Sequence, residues 1–164
     1  MKTILFLLIL VLGTNKILFS QSTKNSVQIF FLTADSVFLV SHLLTEDAFL
    51  DSNNQRHFYK LVENNKPNYE IIKEIVRLTK AKVDTLYKLL SQPNKDLLIE
   101  ELGCFSPHHG ILLFKGGHCY YYDICFHCRN FVASKEIELE NNLNSSGWNK
   151  LGKFFKRQGL TYGF

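Results

Sequence analysis

Apolar residues fall at helical spacing in two parts of the chain and at strand spacing in several others. The clearest helical pattern is near the carboxyl end, where Trp148, Leu151, Phe154 and Phe155 occupy i, i+3, i+6 and i+7, while Lys150, Lys153 and Arg157 take the opposite side. Ser145 or Ser146 is the expected cap and Gly159 the expected stop, which predicts a helix over 147–158. A second helix is predicted near 80–91: Thr79 is its N-cap, Val83, Leu86, Tyr87 and Leu90 share one face, and Pro93 ends it. Residues 94–103 (NKDLLIEELG) have a capping residue at the start and a glycine at the end, so a further short helix is expected there.

Strand-like runs are rich in β-branched and aromatic residues. Val27 to Leu32 (VQIFFL) and Ser36 to Val40 (SVFLV) read as two strands of a hairpin. Thr45, Glu46 and Asp47 suit the opening of a short helix, 51–57 and 63–68 are loop-like in their Asn, Asp and Pro content, and 69–78 fits a strand or a helix start. The sharpest signal is the pair Ile111 to Lys115 and His118 to Phe126, separated by Gly116-Gly117, because a two-residue primed turn needs positive φ at both positions. That turn fixes a register in which Lys115 faces His118, Phe114 faces Cys119 and Leu112 faces Tyr121, with His108 opposite Cys125 at the far end.

Composition supports a packed fold. The chain is 46% hydrophobic with 14 Phe and 7 Tyr, enough to fill a core, and four cysteines are too few for a disulfide scaffold. The expected fold class is α+β: a small, mainly antiparallel sheet with a Gly-Gly hairpin and two or three packed helices. Met1 and Lys2 precede an unbroken apolar run from Ile4 to Leu12, which has the form of a secretory signal peptide and is too short to span a bilayer. The expected organisation is a signal peptide at 1–20 and a single α+β domain at 21–164, with the product periplasmic or secreted and without an integral membrane segment after cleavage. Loss of Lys2 and Lys16 removes two of the four net positive charges. The near-neutral remainder does not call for nucleic acid. The basic side of the carboxyl-terminal helix reads as a solvated face on a core-packing helix, in preference to a membrane-surface helix. Asn144-Ser145-Ser146 matches a glycosylation sequon, a weak motif on its own.

Chemistry concentrates between residues 104 and 128, which hold all four cysteines and four of the six histidines. The hairpin register brings Cys104 and His108 beside Cys125 and Cys128. Cys119 is excluded from that cluster, since six residues of strand separate it from Cys125 by roughly 20 Å at about 3.3 Å per residue. It is expected to be a partly buried free thiol facing Phe114, with His118 solvent-facing at the turn and His42 and His57 in surface or satisfied core roles. Three readings of the cluster compete. Cys104, His108 or His109, Cys125 and Cys128 have the donor types of a closed tetrahedral zinc site, so zinc is the candidate cofactor. An exported chain would equally allow a structural disulfide from Cys104 to Cys125 or Cys128. The third is a redox-active Cys125-Cys128 dithiol, with His127 between them favouring a thiolate, although such a dithiol usually precedes a helix and RNFVASKEIELE does not read as one.

The segments CFSPHHGILLF, DICFHC and KLGKFFKRQGLTYG resemble a family of small, exported, uncharacterised bacterial proteins with a C-[FY]-x-P-R-[HN] segment, a hairpin and an I-C-F-x-C segment. Cys104, Pro107, Cys125 and Cys128 match that motif, and His108 stands where the family has Arg, which leaves His109 as the alternative ligand. The resemblance supplies no function. The expected function is a non-catalytic binding or interaction module organised around the Cys/His cluster, with a periplasmic thiol-disulfide oxidoreductase using Cys125 and Cys128 as the alternative. No partner is indicated.

Overall fold

The computed structural model describes residues 26–44, 48–50, 52–92, 105–140 and 143–164. Its centre is a five-stranded, fully antiparallel sheet in the order β6-β1-β7-β8-β9. The strands are β1 (Ser36–His42), β6 (Ile72–Arg77), β7 (His109–Lys115), β8 (His118–Cys125) and β9 (Asn130–Ala133). Two small ribbons, β2 (Ala48–Leu50) with β3 (Arg56–Phe58) and β4 (Val62–Glu63) with β5 (Lys66–Pro67), lie in the connection from β1 to β6. Helices α1 (helical over 26–32), α2 (Lys80–Leu90) and α3 (Ser145–Arg157) complete the α+β fold. No helix among the described residues is long and apolar enough to cross a membrane.

The expected hairpin forms in the expected register, with Lys115 opposite His118, Phe114 opposite Cys119 and Leu112 opposite Tyr121, continuing to His109 opposite Ile124. Gly116 and Gly117 have φ of 57° and 80°. The turn is tied to the start of β1, because Asp35 accepts a hydrogen bond from the Gly116 N–H at 2.9 Å. The stretch 63–68, expected as loop, contains the β4-β5 ribbon. Asn64 and Asn65 turn it with φ of 50° and 62°, a conformation that asparagine tolerates better than most residues.

Residues 27–32 are helical, which corrects the strand expectation. A strand would turn Val27, Ile29 and Phe31 to one face, whereas Val27 and Phe31 are buried and Ile29 is 59% exposed. That four-residue spacing is helical, and Phe31 lands against Tyr87 and Tyr122, with ring centroids 5.7 and 6.0 Å away. Tertiary burial therefore overrides the local β preference. The same helix ends where the hairpin begins, since Lys115 Nζ donates to Thr33 Oγ1 at 2.8 Å and lies 4.5 Å from the Phe30 ring centre.

Both other helices follow their apolar stripes. Val83, Leu86, Tyr87 and Leu90 of α2 are buried, as are Trp148, Leu151, Phe154 and Phe155 of α3. They pack with Val37, Leu39, Ile111, Leu113, Tyr122 and Ile124 on one face of the sheet. Each fully buried Leu or Phe in such a layer contributes about 1.5 to 3 kcal/mol of transfer free energy. The cap of α3 is Asn144, one residue before the expected serines: its side chain accepts from the Gly147 N–H at 2.9 Å, and Ser145 is the first helical residue. The opposite face of the sheet carries a smaller cluster of Val40, Leu61, Leu112 and Cys119. There the β1-β6 connection supplies the cover through Leu61 and Val62.

Because open space surrounds the Cβ positions of both turn glycines, their replacement tests backbone conformation alone. Gly116→Val and Gly117→Val should each lower stability by on the order of 1 to 2 kcal/mol, since a β-branched residue resists positive φ. Urea denaturation midpoints unchanged in both variants would contradict the tight turn.

Candidate functional site

Away from Cys119 and His118, which lie at the Gly116-Gly117 end of the hairpin, cysteines and histidines form two neighbourhoods at the opposite end of the sheet. The first is the four-residue loop from Cys125 to Asn130, which are paired partners at the end of β8 and the start of β9. Cys125 and Cys128 are joined by a disulfide across this loop, with Cα atoms 5.3 Å apart. Both are buried, at 1% and 3% exposure, and the Cys128 N–H donates to Cys125 Sγ at 3.1 Å. Arg129 closes the loop at φ 53° and donates from a guanidinium nitrogen to Ser145 Oγ at 2.6 Å, joining the loop to the first turn of α3. The pairing is the one expected of a redox dithiol, not the expected structural bridge from Cys104. Cys104 lies outside the described residues. The chain continues from Cys128 into β9, so no helix begins at this pair.

The second neighbourhood is built on two histidines that neighbour each other in space through β1 and β7. His42 is fully buried. Its Nδ1 is 2.6 Å from the Leu43 carbonyl oxygen and its Nε2 is 3.1 Å from Asp123 Oδ1. A carbonyl can only accept, so Nδ1 carries a proton. The facing carboxylate favours a second proton on Nε2, which biases the ring toward the imidazolium form. Asp123 acts on this ring both as a side-chain contact and through its charge. Burial by itself would lower the His42 pKa, but the Asp123 contact and charge, with the carbonyls of Leu43 and His109, raise it above its ordinary value.

Strand β7 separates β1 from β8, and its member in the row between Val40 and Asp123 is Gly110. A Cβ there would stand 2.5 Å from Leu61 Cδ2 and 3.1 Å from Val40 Cγ2. The missing side chain thus leaves room for Leu61 to close over the strand beside the ion pair.

His109 alternates to the helix-bearing face. It is 1% exposed and caged by aromatic rings, with centroids of Phe164, Phe126 and Phe155 at 4.0, 5.0 and 6.0 Å. Its Nε2 has no hydrogen-bond partner among the described residues. Burial lowers its pKa to about 3, assisted by the charges of His42 and His108. His109 is therefore held neutral, whereas the surroundings of His42 favour its charged form. His108 is half-buried and donates from Nδ1 to the His42 carbonyl at 3.2 Å.

The segment after α3 crosses this end of the sheet. Glu74 on β6 accepts from Ser41 Oγ at 2.6 Å, Thr161 Oγ1 at 2.7 Å and the Tyr162 N–H at 3.1 Å. Burial would raise the pKa of Glu74, but these donors hold its carboxyl down at about 2. Gly163, at φ 80°, then passes so close to His108 that a Cβ would be 2.6 Å from the His108 Cβ.

Cys119 is a buried free thiol opposite Phe114, as expected, and burial pushes its pKa up to about 11. A group of three or more His, Cys, Asp or Glu side chains placed to hold a metal does not occur among the described residues. Cys125 and Cys128 are bonded to each other and His109 is enclosed by phenyl rings, so these three expected zinc ligands are otherwise engaged. Sequence reasoning gave His42 no partner and passed over Asp123 and Glu74. A lone acid within the apolar run YYYDICF was the available signal for Asp123.

No protein-family model matches the chain, and neither a curated protein nor a solved structure is similar to it.

The histidine assignments predict a pH response. The folded-state pKa of His109 is depressed, so below about pH 6.5 the unfolded chain binds a proton that the folded chain refuses, and stability falls by about 1.4 kcal/mol per pH unit. His42 has the opposite sign: its contribution is complete below its unfolded pKa of 6.5 and is lost only as pH rises through its raised folded value, so it adds no slope below 6.5. His109→Phe should therefore flatten the stability profile between pH 6.5 and about 5 by roughly that slope. Urea midpoints across the window check this, and parallel profiles for the two proteins would contradict it.

Proposed function

We propose that this chain is an exported, non-catalytic binding module in which the Cys125-Cys128 bridge is a structural clamp. The observation that carries the reading is the position of the bridge. It closes the loop of a β-hairpin, with both cysteines almost fully buried and a strand following. Thiol-disulfide exchange needs an attacking thiolate to reach a sulfur, and burial opposes that approach. The clamp holds Phe126, His127 and Arg129 on a short loop facing α3, which is a way to present side chains to a ligand. The apolar run at 4–12 supports export, and an oxidising compartment suits the bridge.

A second reading has one specific observation in its favour. The Cys128 N–H at 3.1 Å from Cys125 Sγ would stabilise a Cys125 thiolate once the bridge was reduced, as an oxidoreductase requires.

Equilibration in graded thiol buffers, followed by alkylation and intact-mass measurement, separates the two. A structural clamp should have a potential below about −300 mV. Its reduction should lower the unfolding midpoint, with Cys119 alkylated only after unfolding. A potential above about −230 mV, together with reduction of a disulfide substrate by the dithiol form, would replace the binding reading with the enzymatic one.

A further inference from the structure

Beside the clamped loop lies a groove of about 410 Å³, formed by Phe126, His127 and Arg129 on one side and, on the other, by α3 and Phe164. Its α3 wall includes Trp148, Asn149, Gly152, Lys153 and Lys156. The volume falls within the range of small-ligand sites. Three features of the groove share a direction. Lys153 and Lys156 make its lining basic, with Arg129 at the loop side, and the lining contains no carboxylate side chain. Trp148 is 3% exposed and packs against Phe126 at a centroid distance of 6.1 Å, yet its indole Nε1–H has no acceptor among the described residues. A buried indole N–H ordinarily finds one. Gly152 sits in the interior of α3, where glycine costs about 1 kcal/mol relative to alanine. Sterics do not demand it: a Cβ there would make ordinary contacts of 3.6 Å with Phe126 and 3.8 Å with Phe164. A side chain larger than a methyl would occupy the groove.

We infer that this groove binds a small aromatic oxyanion, a carboxylate or phosphate carried on a flat apolar body. The oxyanion lies among Lys153, Lys156 and Arg129, and the ring lies against Phe126 and Trp148. Charge alone would suit any anion, but the aromatic walls and the open floor at Gly152 select one with a planar part. The inference rests on the binding-module reading and supplies its ligand class.

Trp148 is the only tryptophan in the chain, so its fluorescence reports directly on the groove. The oxidised full-length protein is titrated with phenyl phosphate and phenylacetate as the two oxyanion types, and with inorganic phosphate and benzyl alcohol as the separated halves. Saturable change is expected with at least one aromatic oxyanion. Affinity should be weaker by about tenfold or more for both halves, and for the double variant Lys153→Gln/Lys156→Gln with the better ligand. Both lysines are exposed, and an unchanged unfolding midpoint confirms that the variant is folded. Gly152→Leu, checked in the same way, should abolish the change by filling the floor. Absence of saturation with both aromatic oxyanions through the millimolar range would overturn the inference, as would equal affinity for benzyl alcohol or an unaffected lysine variant. The binding-module reading fails separately, on the thiol-buffer measurement, which does not involve these ligands.

Discussion

The structure depends on one constraint, which is that β7 is buried on both faces. From His109 to Leu113 every residue of that strand is enclosed, so neither face can be left to water. Helices α1, α2 and α3 cover Ile111 and Leu113 on one side. On the other side the same work falls to the β1-β6 connection, whose Leu61 reaches Val40 and Leu112. A long excursion between two hydrogen-bonded neighbours would otherwise be a conformational cost without return. Here it closes the second face, and the tight Asn64-Asn65 turn keeps part of it ordered.

The double burial also accounts for the polar arrangement at the end of the sheet. A strand enclosed on both sides gives its alternating residues two different interiors. His42 and His109 fall into them, close enough for each to affect the other's charge. The environment beside His42 contains a carboxylate, which favours the charged ring. Phenyl rings enclose His109, and that ring is neutral. Two adjacent imidazolium ions would repel, so the neutrality of one protects the charge of the other. A buried ion pair is weak evidence for stability, since desolvation offsets most of its attraction. Its firmer consequence is positional. His42 and Asp123 reach past the vacant Gly110 position of β7, so the pair ties β1 to β8 although those strands do not adjoin.

How much of this was legible in the sequence depended on whether the governing signal was local. The Gly116-Gly117 turn fixes a register by its own geometry, and every β7-β8 pairing follows from it, including the isolation of Cys119 opposite Phe114. The stripes of α2 and α3 were equally clear, because each is long enough for its period to be counted. Residues 27–32 misled because β-branched and aromatic residues favour a strand locally, while the deciding factor was a distant pocket made by Tyr87 and Tyr122. Cys125 and Cys128 were placed at the correct end of the sheet, but spacing could not choose among partners. Ring closure over three residues competes with a longer bridge on strain as well as entropy, and the strain is set by a turn that only the fold reveals. The charge partner of His42 could not be read locally, because Asp123 lies 81 residues away in sequence.

Clamp and groove are connected through the geometry of that turn. Four residues separate the end of β8 from the start of β9, and the disulfide ties the third of them, Cys128, to Cys125, the last residue of β8. Phe126 is then held between two anchored sulfurs, where it meets His109, Trp148, Phe155 and Phe164. Arg129 is held by its left-handed backbone and by Ser145. A surface built this way loses little conformational entropy when it is occupied, because its loop was ordered when the bridge formed. The disulfide thus need not react to serve a function. In the binding module proposed above, immobilising the wall of a groove whose opposite wall is a helix would shift the entropy cost of recognition from binding to folding.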